Sequence, residues 1–212
     1  MRILMDVSAC KIAKQQVVSD LVSGQLITPL TQYLNWGGEF AIDNGAFSGF
    51  NAAAFAGLLV REAGNRERCL FVAMPDIVGN ARRTLELWRY RHDFAMGWPL
   101  ALVAQDGIED LDIPWDELHA IFIGGGDPWK DSRAAQDVVR TAKVLRKHVH
   151  VGRVNTVRRF RLFAELGADT CDGSGLARYD HMLEDIEREM SAEQPPSLFD
   201  GVLDGSVQGV PV

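Results

Sequence analysis

The chain has 212 residues, of which 47% are hydrophobic and 24% are charged, and its formal net charge is −7. This composition excludes an intrinsically disordered protein. The negative charge excludes a protein that coats nucleic acid by bulk electrostatic attraction, although it is compatible with a local basic groove. No apolar run approaches the ~20 residues of a membrane helix, and Asp6 ends the first apolar run too early for a signal peptide. We therefore expect a soluble, cytoplasmic protein that makes no membrane contact.

Short apolar runs alternate with amphipathic segments along the chain. The seven predicted strands are Arg2–Met5, Phe40–Ile42, Cys69–Met74, Pro99–Ala104, Ala120–Ile123, His148–Val151 and a run that ends at Asp172. Helices are predicted between the strands, with capping residues at Asn51 and Asn80 and with further helices that begin near Ser132 and Thr156. The first helix is predicted over 9–21 and the last over 176–190. The segment 24–38, with Pro29 and a glycine-rich turn, is predicted as a loop with a short helical turn.

This alternation of buried strands and helices predicts a parallel sheet that is covered on both faces. Polar residues at the carboxyl end of each strand favour a compact TIM-type (β/α) barrel over an open sheet. Only seven strands are clear, and the segment Phe199–Leu203 is a weak candidate for the eighth. Irregular closure, or closure by a partner chain in a homo-oligomer, therefore stays open. We expect one catalytic barrel domain over 1–190 and a C-terminal tail over 191–212.

A set of polar and glycine residues lies at the predicted strand ends. Its members are Asp43, Asp76, Gln105, Gly124, Gly125, Gly126 and Asp172. In a parallel barrel these positions open on one face, so we expect them to surround one ligand. A carboxylate beside a sugar C1′ can attack that carbon, and a second, protonated carboxyl can protonate the leaving group. The simpler alternative is that Asp43 and Asp172 are turn or capping residues, and that the glycine loop binds a phosphate.

Cysteine and histidine spacing predicts neither a metal site nor a cofactor. The three cysteines, Cys10, Cys69 and Cys171, lie far apart and form no CxxC motif, so we expect reduced thiols. The five histidines show no metal-ligand spacing either.

Five short motifs, in order from about Phe40 to Gly175, resemble those of the tRNA-guanine transglycosylases. The motifs are Asp43-Asn44-Gly45-Ala46-Phe47, Ala73-Met74-Pro75-Asp76, Val103-Ala104-Gln105-Asp106-Gly107, Ile121-Phe122-Ile123-Gly124-Gly125-Gly126 and Gly167-Ala168-Asp169-Thr170-Cys171-Asp172. In that family they are the Asp-Ser-Gly-Gly-Phe motif, the base-recognising aspartate, the glutamine segment, the guanine-contacting loop and the Gly-x-Asp-x-x-Asp element.

The resemblance implies a TIM barrel in which Asp172 is the nucleophile and Asp43 the general acid and base. It further implies that Asp76, Gln105 and the Gly125 amide read the base. The family's zinc-binding Cys-x-Cys-x-x-Cys motif is absent, as is an appended RNA-binding domain, and Asn44 and Ala46 replace family residues. This compact form is more similar to the 7-deazaguanine DNA-modification branch, which occurs in phages and bacterial modification clusters.

We therefore expect an enzyme that exchanges guanine for a 7-deazaguanine base in nucleic acid, with DNA favoured over tRNA. A phage-encoded protein that acts in the host cytoplasm is compatible with this expectation. Arg153, Arg158 and Arg159 are predicted to form a phosphate track beside Asp172, against the simpler interpretation that they are solvated helix charges. Two alternatives stay open: a phosphate-binding barrel enzyme that acts on a small metabolite, and a non-catalytic nucleic-acid-binding partner of a transglycosylase.

Overall fold

The computed structural model describes residues 1–90 and 97–192. Eight parallel strands form a closed barrel in chain order, and the last strand pairs with the first through Arg2 with Thr170 and Ile3 with Cys171. The strands are β1 (Arg2–Met5), β2 (Val22–Ile27), β3 (Phe40–Ile42), β4 (Cys69–Ala73), β5 (Leu100–Ala104), β6 (Ala120–Ile123), β7 (His148–Val151) and β8 (Thr170–Cys171). The prediction of a TIM-type barrel is confirmed.

The strand that the sequence did not reveal is β2, in a segment partly predicted as a loop. Gly24 pairs with Leu4 of β1, and a Cβ atom at this position would lie 2.6 Å from the carbonyl oxygen of Glu39. This glycine therefore allows a close approach between strands and does not mark a turn. The barrel closes within one chain, so it needs neither a partner chain nor Phe199–Leu203, which lies outside the described residues.

Eight helices are described around the barrel. They are α1 (Ala9–Val18), α2 (Ala52–Arg61), α3 (Ala81–Trp88), α4 (Asp127–Lys130), α5 (Arg133–Val144), α6 (Val157–Glu165), α7 (Ser174–Arg178) and α8 (Asp180–Ala192). Short 3₁₀ turns are Ala46–Ser48, Ala63–Arg68, Ile108–Asp110 and Trp115–Glu117. The two predicted capping residues, Asn51 and Asn80, each accept a hydrogen bond from the backbone N–H three residues on, and Ser132 and Thr156 cap their helices in the same way.

Two helix boundaries differ from the prediction. The first helix ends at Val18, because Ser19 turns the chain towards β2. The predicted last helix is two helices, α7 and α8, which meet at the extended residue Tyr179. In the part of the chain that the structure describes, no helix has both the length and the apolar character needed to cross a membrane.

Alternating strand residues build two apolar layers. Outward-facing residues such as Ile3, Val72 and Ile121 pack against the helices. Inward-facing residues fill the barrel itself, namely Leu4, Leu26, Ala41, Phe71, Ala73, Ala101, Val103, Ala120 and Phe122. The barrel interior is therefore a packed core. Space for a ligand opens above this core, at the mouth formed by the carboxyl ends of the strands.

Candidate active site

The carboxyl ends of six strands surround one cavity at the barrel mouth. Its polar and charged lining residues are Asp43, Asn44, Asp76, Gln105, Arg153 and Asp172, and the remaining lining includes Phe47, Val103, Phe122 and Gly124. The cavity volume is about 140 Å³, close to the ~150 Å³ of an engineered protein cavity that holds one benzene molecule. The structure thus brings together five of the residues predicted from strand ends, in a space that suits one planar ring system.

Asp76 is the buried polar centre of this cavity. Its Oδ1 accepts a hydrogen bond from Asn44 Nδ2 at 2.9 Å, and its Oδ2 accepts one from Gln105 Nε2 at 2.7 Å. The Gln105 amide is fixed in turn, because its Oε1 accepts the backbone N–H of Gly79 at 2.9 Å. Burial raises the pKa of Asp76, and the two side-chain hydrogen bonds oppose that rise. Asp76 and Gln105 therefore present a rigid polar edge, and Asn44, one of the departures from the family motif, helps to hold it.

Asp43 lies at the end of β3 beside other carboxylates. Its Oδ1 accepts the backbone N–H of Gly45 at 2.7 Å, in a turn where Gly45 has a left-handed φ of 76°. Burial is the main cause that raises the pKa of Asp43 to about 7, and repulsion from Asp172, Asp76 and Asp6 adds to it. This carboxyl can therefore hold a proton near neutral pH and release it to a neighbouring group.

Asp172 follows β8 and is hydrogen-bonded through one oxygen. Its Oδ1 accepts from Nε2 of His150 at 3.1 Å and from the backbone N–H of Arg153 at 3.3 Å. The Asp172 side chain is one-fifth exposed. It lines the first cavity and, together with Asp43, also lines a second cavity with Asp6, Thr28, Tyr33, Ser174 and Arg178. The two carboxyls thus stand at the boundary between the two cavities.

Arg153, predicted to contact phosphate, spans the rim of the first cavity. Its Nη2 donates to the carbonyl oxygens of Gly124 and Gly125, both at 2.9 Å, and its guanidinium lies 4.8 Å from the centre of the Phe47 ring. Arg153 also adopts a left-handed φ of 59°, which is uncommon for a residue with a side chain. The guanidinium therefore ties together the loops after β3, β6 and β7.

The amides of the glycine loop are held by hydrogen bonds within the protein. Gly124 lines the cavity, whereas Gly125 and Gly126 do not. The amides of Gly124 and Gly125 both donate to the carbonyl oxygen of Ala104 at 3.0 Å, and the Gly126 amide donates to Asp106 at 2.6 Å. A Cβ atom on Gly125 would lie 2.3 Å from the Trp129 ring. The Gly125 amide is therefore engaged with the end of β5, and close packing against Trp129 and Asp106 accounts for the glycine. The contact of this amide with a base stays a prediction.

The two other predicted phosphate-contacting arginines differ from each other. Arg159 is buried, and its guanidinium pairs with Asp131 at 3.0 Å and with Asp127 at 3.1 Å. These carboxylates raise the pKa of Arg159, with the Asp131 hydrogen bond as the largest cause. The charge of Arg159 is therefore already paired inside the protein, which supports a structural role, and its contact with phosphate stays a prediction. Arg158 is exposed on α6.

Two buried polar features at the site were not predicted from the sequence. Lys130 is fully buried and donates to the carbonyl oxygen of Gly152 at 2.8 Å, and burial is the main cause that lowers its pKa to about 8. His150 is also fully buried and contacts Asp172 directly. A signal for His150 exists in the sequence: His148, His150, Thr170 and Asp172 occupy alternate positions along two predicted strands, so all four face the barrel interior.

Among residues 1–90 and 97–192, no group of three His, Cys, Asp or Glu side chains is arranged to hold a metal ion.

No protein-family model matches the sequence, and no curated protein matches it. The chemistry of the site therefore has to be inferred from its own residues.

Proposed function

We propose that this protein is a base-exchange transglycosylase. It replaces guanine with a 7-deazaguanine base in nucleic acid, with DNA favoured over tRNA, through a covalent bond between Asp172 and the sugar. One observation carries the proposal: Asp43 and Asp172 lie on the boundary between a ring-sized cavity and a second cavity. A flipped-out nucleotide would place its base in the first cavity and its sugar in the second, with C1′ between the two carboxyls. This activity would place the protein in the cytoplasm, either of a bacterium or of a phage host.

The two carboxyls can divide the chemistry of exchange between them. The carboxylate of Asp172 attacks C1′ while the bond from C1′ to the base nitrogen breaks, and the electrons of that bond pass to guanine. Asp43, which holds a proton near neutral pH, donates it to the departing base. The incoming 7-deazaguanine then returns a proton to Asp43 and attacks C1′, which releases Asp172. One N-glycosidic bond replaces another, so the exchange needs no external energy source.

The first cavity offers what a purine base needs. Asp76 and Gln105 form its polar edge, while Phe122 and Val103 supply apolar surface. Each oxygen of a carboxylate has two acceptor sites, so Asp76 can accept further hydrogen bonds from the ring N–H and the amino group of guanine. Asp76 and Gln105 would therefore read the features that guanine and 7-deazaguanine share, and would accept both bases.

The surroundings of the second cavity support a polymer as the substrate. Arg178, Thr28 and Ser174 can donate hydrogen bonds to a sugar-phosphate backbone. Phe47 and Tyr33 are exposed beside the two cavities, with 71% and 43% of their surface accessible, and such rings stack with unpaired bases. The sequence lacks the Cys-x-Cys-x-x-Cys motif of the tRNA-guanine transglycosylases that it resembles, and this departure favours DNA over tRNA. The engaged amides of the glycine loop count against the alternative of a phosphate-binding metabolic enzyme.

Release of labelled guanine tests this proposal. The purified protein is mixed with guanine-labelled DNA, single-stranded or duplex, or with RNA of the same sequence, and 7-deazaguanines with different 7-substituents are added. We expect repeated turnover, with guanine released beyond one equivalent of enzyme, only when the base is added. Release should be faster from DNA, with matching incorporation measured by mass spectrometry of nucleosides. The control is Asp169→Asn, a change at a carboxylate that pairs with Lys143 away from both cavities. A folded protein that releases guanine from neither polymer would contradict the proposal.

A further inference from the structure

A chain of hydrogen bonds runs from Asp172 into the barrel interior. Asp172 Oδ1 lies 3.1 Å from His150 Nε2, His150 Nδ1 lies 2.9 Å from Thr170 Oγ1, and this hydroxyl lies 2.9 Å from His148 Nε2. His150 and Thr170 are paired residues on β7 and β8, and both are fully buried. The buried side chains of His150 and Thr170 are therefore connected by hydrogen bonds to the Asp172 carboxylate, which borders both cavities.

The donors and acceptors of this chain can be assigned from their chemistry. An ionised carboxylate only accepts hydrogen bonds, so the proton between Asp172 and His150 has to be on His150 Nε2. The Thr170 hydroxyl can both donate and accept, so it satisfies Nδ1 of His150 and passes its second hydrogen bond to His148. Burial is the main cause that lowers the pKa of His148 to about 4, so this end of the chain is neutral at neutral pH.

Two aromatic rings fix the orientation of the His150 imidazole. Its centre lies 4.9 Å from that of Phe71 and 4.6 Å from that of Phe122. With Thr170 bound to one nitrogen, the ring has a single way to direct an N–H towards Asp172. Within residues 1–90 and 97–192, His150 and the Arg153 backbone both donate to Oδ1, and no group donates to Oδ2. The two oxygens of Asp172 are therefore not equivalent.

We propose that His150 is a positioning residue, whose Nε2–H holds Oδ1 of Asp172 so that Oδ2 is the oxygen presented to the substrate. This inference rests on the proposed function, in which Asp172 is the nucleophile, and it assigns the attacking oxygen. When the incoming base breaks the bond between Asp172 and C1′, negative charge returns to the carboxylate, and the same N–H stabilises it. The contact therefore acts on the chemical steps more than on substrate binding, so its loss lowers kcat and leaves KM nearly unchanged.

Two matched substitutions separate this role from a structural one. A glutamine side chain places its amide near the position of Nε2, whereas asparagine reaches only the position of Nδ1. We expect His150→Asn to lower kcat for guanine release about 10- to 100-fold with little change in KM, and His150→Gln to keep kcat within about fivefold of the parent. Both variants lose the packing of the imidazole ring against Phe71 and Phe122. The melting temperature of each variant measures how much stability that loss costs. If both variants lower kcat equally, or if the loss follows the melting temperature, the positioning role is wrong.

A second measurement does not depend on activity. In the protein labelled with ¹⁵N-histidine, we expect NMR spectra to show a proton on Nε2 of His150, assigned by its loss in His150→Asn. Its resonance should shift in Asp172→Ala and stay in place in Asp137→Asn, a change at an exposed carboxylate that pairs with Arg140 on α5. An unprotonated Nε2, or a signal that Asp172→Ala leaves unchanged, would overturn the contact. If the signal behaves as expected but the parent protein exchanges no base, the proposed function fails while the hydrogen-bond assignment stands.

Discussion

Asp43 and Asp172 occupy similar places at the ends of β3 and β8, but their surroundings differ. Asp172 accepts hydrogen bonds from an imidazole and a backbone amide. Asp43 accepts one backbone N–H, from Gly45, and repulsion from other carboxylates adds to the burial that raises its pKa to about 7. A carboxyl whose pKa is raised to about 7 suits the role of general acid, and a carboxylate held by hydrogen bonds through one oxygen suits the role of nucleophile. The assignment of roles in the proposed mechanism follows from this difference.

The rate of guanine release should depend on pH through Asp43. As the pH rises through about 7, Asp43 loses the proton that it gives to the departing base, so the rate should fall. In Asp43→Asn the rate should be lower by about 100-fold or more, and this pH dependence should disappear. Initial rates of labelled guanine release, measured from acid to alkaline pH for both proteins, check the prediction. A parent rate that does not change across neutral pH would contradict the role of Asp43 as the acid.

Asp43 should also make the fold less stable at alkaline pH. Its pKa is about 7 in the folded protein and has the ordinary value of 3.8 in the unfolded chain. Between these values the unfolded chain binds fewer protons, so rising pH favours unfolding. Above neutral pH the cost reaches up to about 4 kcal/mol, at ~1.36 kcal/mol per pH unit.

Asp43→Asn should therefore raise the free energy of unfolding at pH ~8 by about 2 to 4 kcal/mol, with a much smaller gain at pH ~4. The asparagine oxygen can still accept the N–H of Gly45, so the turn is kept. Urea unfolding at the two pH values measures the difference. An equal effect at both pH values would show that ionisation of Asp43 is not the cause.

At the scale of the elements, the sequence predicted most strands and the capping residues Asn51 and Asn80, because these depend on local patterns. The sequence did not predict β2, because Gly24 resembles a loop signal. The position requires glycine because the carbonyl oxygen of Glu39, the residue before β3, lies too close for a side chain. The mouth residues were predicted because every parallel strand delivers its carboxyl end to one face. The hydrogen bonds of the Gly124, Gly125 and Gly126 amides were not predicted, since their acceptors are Ala104 at the end of β5 and Asp106 in the loop after it.

Gly24 in β2 and Gly57 in α2 provide a matched test of what each glycine does. A Cβ atom at Gly24 would contact the Glu39 carbonyl at 2.6 Å, whereas a Cβ atom at Gly57 meets nothing within 4 Å. Gly24→Ala should therefore destabilise the barrel by about 1 to 3 kcal/mol. Gly57→Ala should stabilise it by about 0.5 to 1 kcal/mol, because alanine is the better helix residue. Urea unfolding measures both, and a Gly24→Ala variant as stable as the parent would contradict the close packing of β2.

Neighbouring arginines on α6 should separate stability from nucleic-acid binding. Arg159→Ala removes a buried guanidinium from Asp131 and Asp127, so we expect it to lower the free energy of unfolding by about 1 to 3 kcal/mol. Arg158→Ala should change stability by less than about 0.5 kcal/mol, and should weaken DNA binding if its exposed side chain contacts phosphate. Thermal melting and fluorescence anisotropy with labelled DNA measure the two effects. Equal stability losses in both variants would contradict the structural role of Arg159.

At the scale of the whole molecule, eight strands close the barrel and place its polar groups at a single mouth. The net charge of −7 means that overall electrostatic attraction does not draw this protein to nucleic acid. In the proposed function, binding instead comes from a few contacts around the mouth, where Phe47 and Tyr33 can stack with bases and Arg178 can reach a phosphate. The pairing of β7 with β8 also places His150 beside Asp172. The strands that form the barrel core therefore also position the residues of the site.

In the proposed mechanism Asp172 forms a bond with C1′, and this claim can be tested by capturing that bond. The protein is incubated with a labelled guanine-containing oligonucleotide without an incoming base, denatured, and analysed by gel and by peptide mass spectrometry. We predict an oligonucleotide attached to Asp172, formed together with guanine release, retained in Asp169→Asn and absent in Asp172→Ala. Thermal melting confirms that each variant is folded. An Asp172→Ala protein that still forms the adduct, or that exchanges guanine at the parental rate, would contradict the claim.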